Sequence, residues 1–386
     1  MRDRLCQRVR DIPPSGIQKF LDIINGMPDV LSLGVGEPDF VTPLHIREAA
    51  YQACMAGQTK YSPNAGLVEL RKLLSRHLER LYGVSYDPET EILITVGVSE
   101  GLQDALIATL EPGDEVIVPE PCFMAYQPNV IFAGGRPVVV PTYYEHDFAV
   151  TANDIAVRLS RHTRGVLLSY PNNPTGAVMP LDELERVARL AQEHDLLVYS
   201  DEIYDRLVYG VRHTCMASLP GMRERTVLLG GFSKAYAMTG WRVGYVAAPA
   251  GLLHGVFKVH QYVTMCAPTP SQYAAIEALR NGEEDVHTMV AEYDRRRRVI
   301  VDGLNRLGLA TFEPRGAFYC FPRVKDTGMS SMEFAERLLL EEKVAVVPGE
   351  AFGQCGEGHV RVCYTQPVGQ LQEALRRTER FLDRHR

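Results

Sequence analysis

The sequence lacks the features typical of secreted, membrane-spanning and metal-binding proteins. Its eight cysteines are scattered along 386 residues, with no C-x-x-C pair and no metal-ligand spacing. In a chain this long they are typical of free thiols in a reducing compartment. The first residues, MRDRLCQRVRDIPPSG, contain no apolar segment of signal-peptide length, and apolar runs elsewhere are too short to span a bilayer. We therefore expect a cytoplasmic protein without a metal ion.

The chain also lacks an excess of positive charge. Its 41 lysines and arginines against 48 aspartates and glutamates give a net charge of −7. This balance disfavours a nucleic-acid partner, because phosphates would be repelled unless a basic patch outweighed the net charge. The best candidate patch is the run RRRR at 295–298, which lies beside Glu292 and Asp294 in a segment typical of one long helix, 283–307. We interpret these arginines as a solvated helix face.

No internal repeat or low-complexity tract occurs, and a regular alternation begins near residue 90. Short apolar, β-branched runs such as EILITVG and EVIVPEP alternate with amphipathic segments such as SEGLQDALIATL and LDELERVARLAQEHD. This alternation predicts an α/β fold with a parallel or mostly parallel sheet that is covered by helices on both faces.

The pattern changes after about residue 284. A long charged helix is followed by GAFYCFPRV, the helix SSMEFAERLLLEE, the strands VAVVPG and GHVRVCYT, and a terminal helix. This order predicts a smaller α+β domain, and the Gly/Pro-rich segment LSLGVGEPDFVTP is expected beside it. We therefore predict a large domain at 46–283, and an N-terminal arm with the small domain at 1–45 and 284–386.

Polar side chains follow several of the predicted strands. VLLSY leads into PNNPTG with Asn173, LLVYS leads into Asp201 and Tyr204, and TVLLGG leads into Ser233 and Lys234. In open α/β sheets, ligands bind beyond the carboxyl ends of the strands. These neighbouring ends therefore predict a single site that contains an amide, an acid, a phenol and an amine.

A phosphate is the ligand expected where ILITVG opens into a helix, at residues 97–100. Free backbone N–H groups and the positive end of the helix dipole attract an anion, and Gly97 allows it to approach closely. Many helices begin with such a turn, so this pattern alone favours an ordinary helix cap. Arg242, two residues after one glycine and two before another, could supply a bidentate charge to the same phosphate.

Lys234 carries the most specific chemical hypothesis. A lysine at a buried strand end should have its pKa lowered from about 10.4, which yields a free amine able to form a Schiff base with an aldehyde. Asp201 could then pair with a pyridinium nitrogen, while Asn173 and Tyr204 hydrogen-bond a phenolic ring oxygen. Singly, these residues could be a helix cap, a turn residue and a core tyrosine. Their order and spacing together favour the cofactor site.

With these motifs, the sequence resembles the fold-type I pyridoxal-phosphate aminotransferases of classes I and II, and especially the archaeal and bacterial aromatic and aspartate enzymes. The resemblance extends from SLGVGEPDF and YSPNAG, through PNNPTG, SDEIY, GFSKAYAMTGWRVGY and PRGAFY, to VPGEAFG and HVRVCYT. It implies a homodimer that uses pyridoxal 5′-phosphate. The implied reaction moves the α-amino group of an L-amino acid (an aromatic amino acid, glutamate or a broad range of donors) to a 2-oxo acid such as 2-oxoglutarate.

The resemblance also implies roles for individual residues. The implied catalytic residues are Lys234, which forms the Schiff base, Asp201 and Tyr204. The implied cofactor contacts are Gly97, Val98, Ser99, Phe123, Asn173, Asp201, Tyr204, Ser233, Lys234, Arg242 and Tyr61. The implied substrate contacts are Gly36, Asn173 and Arg361. Tyr61 is expected to act across the dimer interface, and Phe123 to stack on the cofactor ring. Arg361 alternates with Val360 and Val362 and is expected to point away from the apolar face of its strand.

Two departures from the family pattern bear on the site and its substrates. Gly231 stands where many relatives have a serine that contacts the phosphate. Dicarboxylate-specific members often supply a second arginine, and none lies between 243 and 279, although Lys258 and His260 do. We therefore expect aromatic amino acids and glutamate to be better donors than aspartate.

Three other enzymatic functions compete with this interpretation, whereas a non-enzymatic regulator on the same fold would need an added DNA-binding domain. A carbon–sulfur lyase or related enzyme on the same fold would share the first chemical steps. GFSKA at 231–235 differs by one residue from the G-x-S-x-G element of serine hydrolases. GVGEPD at 34–39 begins like a dinucleotide-binding G-x-G-x-x-G but ends in Asp39.

Overall fold

The computed structural model describes residues 4–10, 12, 27 and 29–385. Part of the predicted N-terminal arm, residues 1–3, 11, 13–26 and 28, therefore lies outside the described residues. The helices are α1 Gln7–Arg10, α2 Leu44–Met55, α3 Val68–Tyr82, α4 Val98–Thr109, α5 Tyr126–Phe132, α6 Ala152–Ala156, α7 Leu181–Glu193, α8 Ala250–Val263, α9 Thr269–Asn281, α10 Glu283–Arg306, α11 Ser331–Glu342 and α12 Val368–His385. The strands are β1 Leu31–Ser32, β2 Ile92–Thr95, β3 Glu115–Glu120, β4 Arg136–Pro141, β5 Thr163–Leu168, β6 Leu197–Asp201, β7 Thr226–Gly231, β8 Gly244–Ala247, β9 Tyr319–Cys320, β10 Val344–Ala345, β11 Val347–Pro348 and β12 Val360–Cys363.

The central sheet has seven strands in the order β2-β8-β7-β6-β5-β3-β4. In this sheet β8 runs antiparallel to the other six strands, which are parallel to one another. Successive residues of β3 face opposite sides: Val116 belongs to the same apolar cluster as Leu102 of α4, whereas Ile117 belongs to a separate cluster with Leu184 of α7. Because side chains alternate along a strand, both faces need an apolar cover, which the helices supply. The predicted α/β fold with a mostly parallel, helix-covered sheet is confirmed.

Two smaller sheets lie outside the central one. The strand β1 pairs in parallel with β10, and β11-β12-β9 form an antiparallel sheet. The segment VAVVPG was predicted as one strand, but it splits into β10 and β11, which belong to different sheets. The pairing of β1 with β10 places LSLGVG beside the C-terminal elements. The domain bounds 46–283, 1–45 and 284–386 stay a prediction.

The arginine run at 295–298 corrects one prediction. It lies in α10, so the long helix is confirmed, but the solvated face is wrong for two of the four side chains. The side chains of Arg296 and Arg297 are only 6% exposed. Arg296 Nη1 lies 2.8 Å from Asp39 Oδ1, and Arg297 Nη1 lies 2.8 Å from Glu313 Oε1. A guanidinium with several donors can be buried when carboxylates from other segments pair with it.

The sheet brings the chemically active segments to one edge. Since β2, β5, β6 and β7 run in the same direction, their carboxyl ends lie together. Asp201 ends β6, Lys234 follows β7 by three residues, and the turn after β2 leads directly into α4. No helix among the described residues is long and apolar enough to cross a membrane.

Candidate active site

A cavity of about 400 Å³ lies at this edge of the sheet. Its lining includes every predicted site residue except Gly97 and Tyr61: Gly36, Val98, Ser99, Phe123, Asn173, Asp201, Tyr204, Ser233, Lys234, Arg242 and Arg361. Gly97 lies directly before Val98 as the N-cap of α4. Tyr61 is 82% exposed and lies outside the cavity. The structure therefore brings together residues that are up to 325 positions apart in sequence, from Gly36 to Arg361.

Lys234 presents its amine to the cavity. Its Nζ donates a hydrogen bond of 2.9 Å to the carbonyl oxygen of Gly36. The rings of Tyr204 and Phe318 lie 5.9 and 5.7 Å from the same nitrogen. Burial among these groups disfavours the ammonium ion and lowers the pKa of Lys234 to about 8. A substantial fraction of the side chain is therefore a neutral, nucleophilic amine near pH 8.

Asp201 is held in place by two donors. Its Oδ2 accepts a 2.8 Å hydrogen bond from the Tyr126 hydroxyl, and its Oδ1 accepts one from the backbone N–H of Ile203 at 3.2 Å. Burial raises the pKa of Asp201 to about 6, although both hydrogen bonds lower it. Tyr126 was not predicted, even though it ends the segment PCFMAY that contains Phe123. A buried carboxylate of this kind is suited to pair with a protonated ring nitrogen.

Tyr204 pairs with a second tyrosine that the sequence did not identify. The hydroxyl oxygens of Tyr204 and Tyr319 lie 2.8 Å apart, and both side chains are buried. Burial and the nearby Tyr319 raise the pKa of Tyr204 well above its ordinary value, so its hydroxyl stays protonated. Tyr319 lies in the motif PRGAFY, but the motif alone does not reveal which side chain faces the cavity.

Arg361 lies in β12 between two apolar neighbours that face the opposite side. Its Nη1 donates to Asn173 Oδ1 at 2.9 Å, and its Nη2 donates to the carbonyl oxygen of Gly34 at 2.6 Å. The buried Nε has no hydrogen-bond partner among the described residues. A buried guanidinium with an unused donor is suited to bind a carboxylate.

The start of α4 offers a second anion site. Gly97 has a φ of 78°, and no side chain caps the helix. A Cβ atom at Gly97 would lie 2.8 Å from Arg242 Nη2, so only glycine allows the guanidinium to lie this close. Free backbone N–H groups and an adjacent arginine together fit a phosphate.

Gly231 is tightly enclosed where relatives often have serine. A Cβ atom there would lie 3.1 Å from Ile203 Cδ1 and 3.3 Å from Gly244 Cα. A serine would therefore require its neighbours to shift by a few tenths of an ångström. Glycine fits at this position without such a shift.

A larger cavity of about 560 Å³ lies on the other side of β6. It is lined by Ser200 and Glu202, which flank Asp201 and so point to the opposite face. His213 Nε2 lies 2.7 Å from Glu202 Oε2 at its wall. None of the described residues that line this cavity is a lysine. A Schiff base can therefore form only in the cavity of about 400 Å³ that contains Lys234.

The family is shown by comparison with known proteins. The family model described as "Aminotransferase class I and II" matches residues 28–377. The chain belongs to this family. An aspartate aminotransferase from Pyrococcus abyssi is 46% identical over 98% of both chains, and aromatic-amino-acid aminotransferase 2 from Thermococcus litoralis gives the same values. The crystal structure of an aromatic aminotransferase from Pyrococcus horikoshii is 45% identical, with a TM-score of 0.91 over 95% of this chain and 99% of that chain.

The family match confirms the predicted enzyme class. The protein is an aminotransferase that uses pyridoxal 5′-phosphate. The relatives favour amino-group transfer over the lyase, hydrolase and oxidoreductase alternatives.

The residues of the cavity fit this cofactor. The uncapped start of α4 and Arg242 suit its phosphate, and the amine of Lys234 suits its aldehyde. The carboxylate of Asp201 suits its ring nitrogen.

Proposed function

We propose that aromatic amino acids and glutamate are the amino-group donors and that a 2-oxo acid such as 2-oxoglutarate is the acceptor. Among the described residues, three cationic side chains line the cavity that contains Lys234: Lys234 itself, Arg242 and Arg361. This observation supports the proposal. The first two serve the cofactor in this proposal, and Arg361 serves the substrate α-carboxylate. Lys258 and His260 do not line the cavity. No cation therefore remains for the short side chain of aspartate, whereas glutamate carries its carboxylate one methylene further out, where solvent can hydrate it.

The protein's part in the reaction is to hold the cofactor and to move one proton. When bound, pyridoxal phosphate supplies an aldehyde carbon for the substrate amine and a ring that accepts electron density from the α-carbon. With the cofactor bound, Lys234 would take the proton from the substrate α-carbon as a general base and would deliver it, as a general acid, to the carbon that the cofactor aldehyde supplies, which its pKa of about 8 suits. Asp201 keeps the ring nitrogen protonated. Ping-pong kinetics follow from two half-reactions at one site.

Other residues position the reacting groups. The backbone N–H groups at 97–99, Ser233 and Arg242 bind the phosphate in this proposal. Tyr204 and Asn173 hydrogen-bond the phenolic ring oxygen, and Phe123 packs on the ring face. For the substrate, Arg361 and Asn173 hold the α-carboxylate beside Gly36.

A panel of single half-reactions tests the proposed donors. Each amino acid is added alone to the holoenzyme, and the 2-oxo acid formed is measured together with the change in the visible absorbance of the cofactor. Aromatic amino acids and glutamate should react faster than aspartate. A strong preference for aspartate would contradict the proposed specificity. Release of pyruvate and ammonia from cysteine, without amino-group transfer, would indicate a lyase.

The variant Arg361→Lys tests the substrate contact. Lysine cannot make the planar, two-pronged contact with a carboxylate, so KM should rise by about tenfold or more for amino acids and 2-oxo acids alike. Steady-state kinetics with both substrate classes measure the effect, and the donor order of the panel should not change. A rise in KM for one substrate class alone would mean that Arg361 contacts a side chain instead.

We further propose that the protein is a homodimer in which Tyr61 reaches the active site of the partner. Large apolar side chains are strongly exposed on neighbouring segments, including Tyr61 at 82% and, near the end of α8, Tyr262 at 89% and Val263 at 69%. Exposed groups of this kind are typical of protein interfaces. The eight free cysteines support a reducing compartment such as the cytoplasm.

Mixed dimers test the proposed role of Tyr61. Lys234→Ala and Tyr61→Phe should each impair the homodimer. In a heterodimer of the two variants, a contact across the interface restores one site with both native residues. After subunit exchange, activity per heterodimer should approach about half that of the parent enzyme.

The control is each variant mixed with itself, and native mass spectrometry verifies that heterodimers form. If heterodimers form without any gain in activity, and Tyr61→Phe alone is clearly impaired, Tyr61 acts within its own chain.

A further inference from the structure

His260 is a fully buried histidine near the C-terminal end of α8. Its Nδ1 lies 2.6 Å from Glu100 Oε1, and its Nε2 lies 2.9 Å from the carbonyl oxygen of Asn64. The carbonyl oxygen of Asn64 only accepts hydrogen bonds, so Nε2 carries a proton, and a second proton lies between Nδ1 and Glu100. Burial raises the pKa of Glu100, but its hydrogen bonds with His260 and Val96 lower the pKa below its ordinary value, so the second proton stays on Nδ1. His260 is therefore an imidazolium. Burial alone lowers the pKa of His260, but the hydrogen bond and charge of Glu100 raise it above its ordinary value.

Glu100 connects this histidine to the candidate phosphate site. It is the third residue of α4, and its Oε2 accepts a hydrogen bond from the backbone N–H of Val96, directly before Gly97. Asp104 lies one turn later, with its Oδ2 3.9 Å from His260 Nδ1. Burial and the charge of Glu100 raise the pKa of Asp104 to about 7. The carboxylate of Glu100 thus holds the turn at which the phosphate is expected.

A carboxylate in this position would oppose phosphate binding if it stood alone. Both anions would compete for the positive end of the same helix, and they would repel each other in a poorly solvated site. The imidazolium of His260 offsets the charge of Glu100 while leaving its second oxygen on Val96. The phosphate therefore binds at a helix end where His260 already neutralises the charge of Glu100.

The second ring nitrogen of His260 fixes the loop that carries Tyr61. Asn64 accepts from it, while Thr269 Oγ1 donates to the carbonyl oxygen of Lys60 at 2.8 Å elsewhere in the loop. The ring of His260 thus contacts the loop through Asn64 and the first turn of α4 through Glu100, and it holds the two together.

We propose that His260 is a positioning residue for the cofactor phosphate. As an imidazolium it neutralises Glu100 in the first turn of α4, while the contact of its other ring nitrogen with Asn64 keeps the ring in place. This inference rests on the proposed phosphate site at residues 97–99 and Arg242. It assigns no contact between His260 and the cofactor or the substrate.

The test compares cofactor binding with and without a phosphate. Dissociation constants for pyridoxal 5′-phosphate and for pyridoxal are measured by titration of the apoprotein of His260→Gln. The variant should bind pyridoxal phosphate about tenfold more weakly, because Glu100 is left without its counter-charge. Its affinity for pyridoxal should stay within about twofold of the parent, because pyridoxal carries no phosphate for Glu100 to repel.

Two further variants separate charge from packing. His254 is exposed on the same helix, so His254→Gln should leave both affinities unchanged. Adding Glu100→Gln to His260→Gln removes the uncompensated charge and should return the affinity for pyridoxal phosphate to within about threefold of the parent. Thermal unfolding establishes that each variant is folded.

Equal losses for both ligands, or no recovery in the double variant, would overturn the inference, since both results indicate a purely structural role. Arg242→Gln separates it from the proposed phosphate site. If Arg242→Gln binds pyridoxal phosphate as tightly as the parent, the proposed phosphate site is wrong, and so is the role of His260 that depends on it. If Arg242→Gln weakens binding but His260→Gln does not, only the role of His260 is wrong.

Discussion

Replacing Lys234 by alanine should leave a folded protein that binds pyridoxal phosphate only non-covalently and transfers amino groups at a negligible rate. Among the residues that line the described cavity, Lys234 is the only lysine, so no neighbour can replace its amine. The variant loses both the covalent link to the cofactor and the base that moves the α-proton. A general base alone contributes about 10²- to 10⁴-fold to a rate, and we expect the loss to exceed this range.

The measurement combines steady-state transfer with a single-turnover assay of 2-oxo acid formation. Dialysis should remove the cofactor from Lys234→Ala but not from the parent enzyme. The matched control is Lys258→Ala, which removes an exposed lysine from α8 outside the cavity and should behave like the parent. Normal turnover by Lys234→Ala would refute the proposed mechanism as a whole.

The polar strand ends of the site were predictable because they are local features of the sequence. Asp201 and Lys234 follow apolar runs, and parallel strands bring such ends together without knowledge of any particular contact. Gly97 was predictable for the same reason, since a glycine between a strand and a helix suits a close approach to an anion. The order of these motifs also carried the family resemblance, which the comparisons confirm.

The partners of these residues were not predictable in the same way. Tyr126 lies 75 residues from Asp201, and Tyr319 lies 115 residues from Tyr204. Contacts across such distances depend on packing between elements, which a local pattern does not encode.

The buried arginines illustrate the same limit. The charge pattern of α10 predicts a helix correctly, but it does not show that Asp39 and Glu313, from other segments, reach Arg296 and Arg297. The sequence therefore predicts the helix α10, but it does not predict that Arg296 and Arg297 are buried.

Asp201→Asn should slow removal of the substrate α-proton by about a thousandfold or more, which corresponds to about 4 kcal/mol in the barrier. Asparagine keeps the shape of the side chain, but its one carbonyl oxygen can accept from only one of the two donors, Tyr126 and Ile203, and it has no charge to keep the ring nitrogen protonated. Without that proton the ring accepts less electron density, so the barrier rises at the proton-transfer step. Cofactor affinity should fall by a smaller factor.

The pH dependence of cofactor binding gives a second measure of the same group. Burial raises the pKa of Asp201 to about 6 in the protein without cofactor. The carboxylate pairs with a cationic nitrogen only when it is ionised, so the affinity of the parent apoprotein should fall as the pH drops through about 6. This step should be missing in Asp201→Asn, because asparagine does not titrate.

Single-turnover reactions with α-deuterated amino acids identify the step that is slowed. In Asp201→Asn the isotope effect should approach its full value, since proton removal then limits the rate. The matched control is Glu202→Gln, which changes the next acid along the chain on the opposite face, where it pairs with His213. That variant can lose stability, but its proton-transfer step should stay within about twofold of the parent, because Glu202 lies outside the cavity that holds Lys234. If Asp201→Asn weakens cofactor binding while single-turnover chemistry is unchanged, Asp201 only anchors the cofactor and does not control its charge.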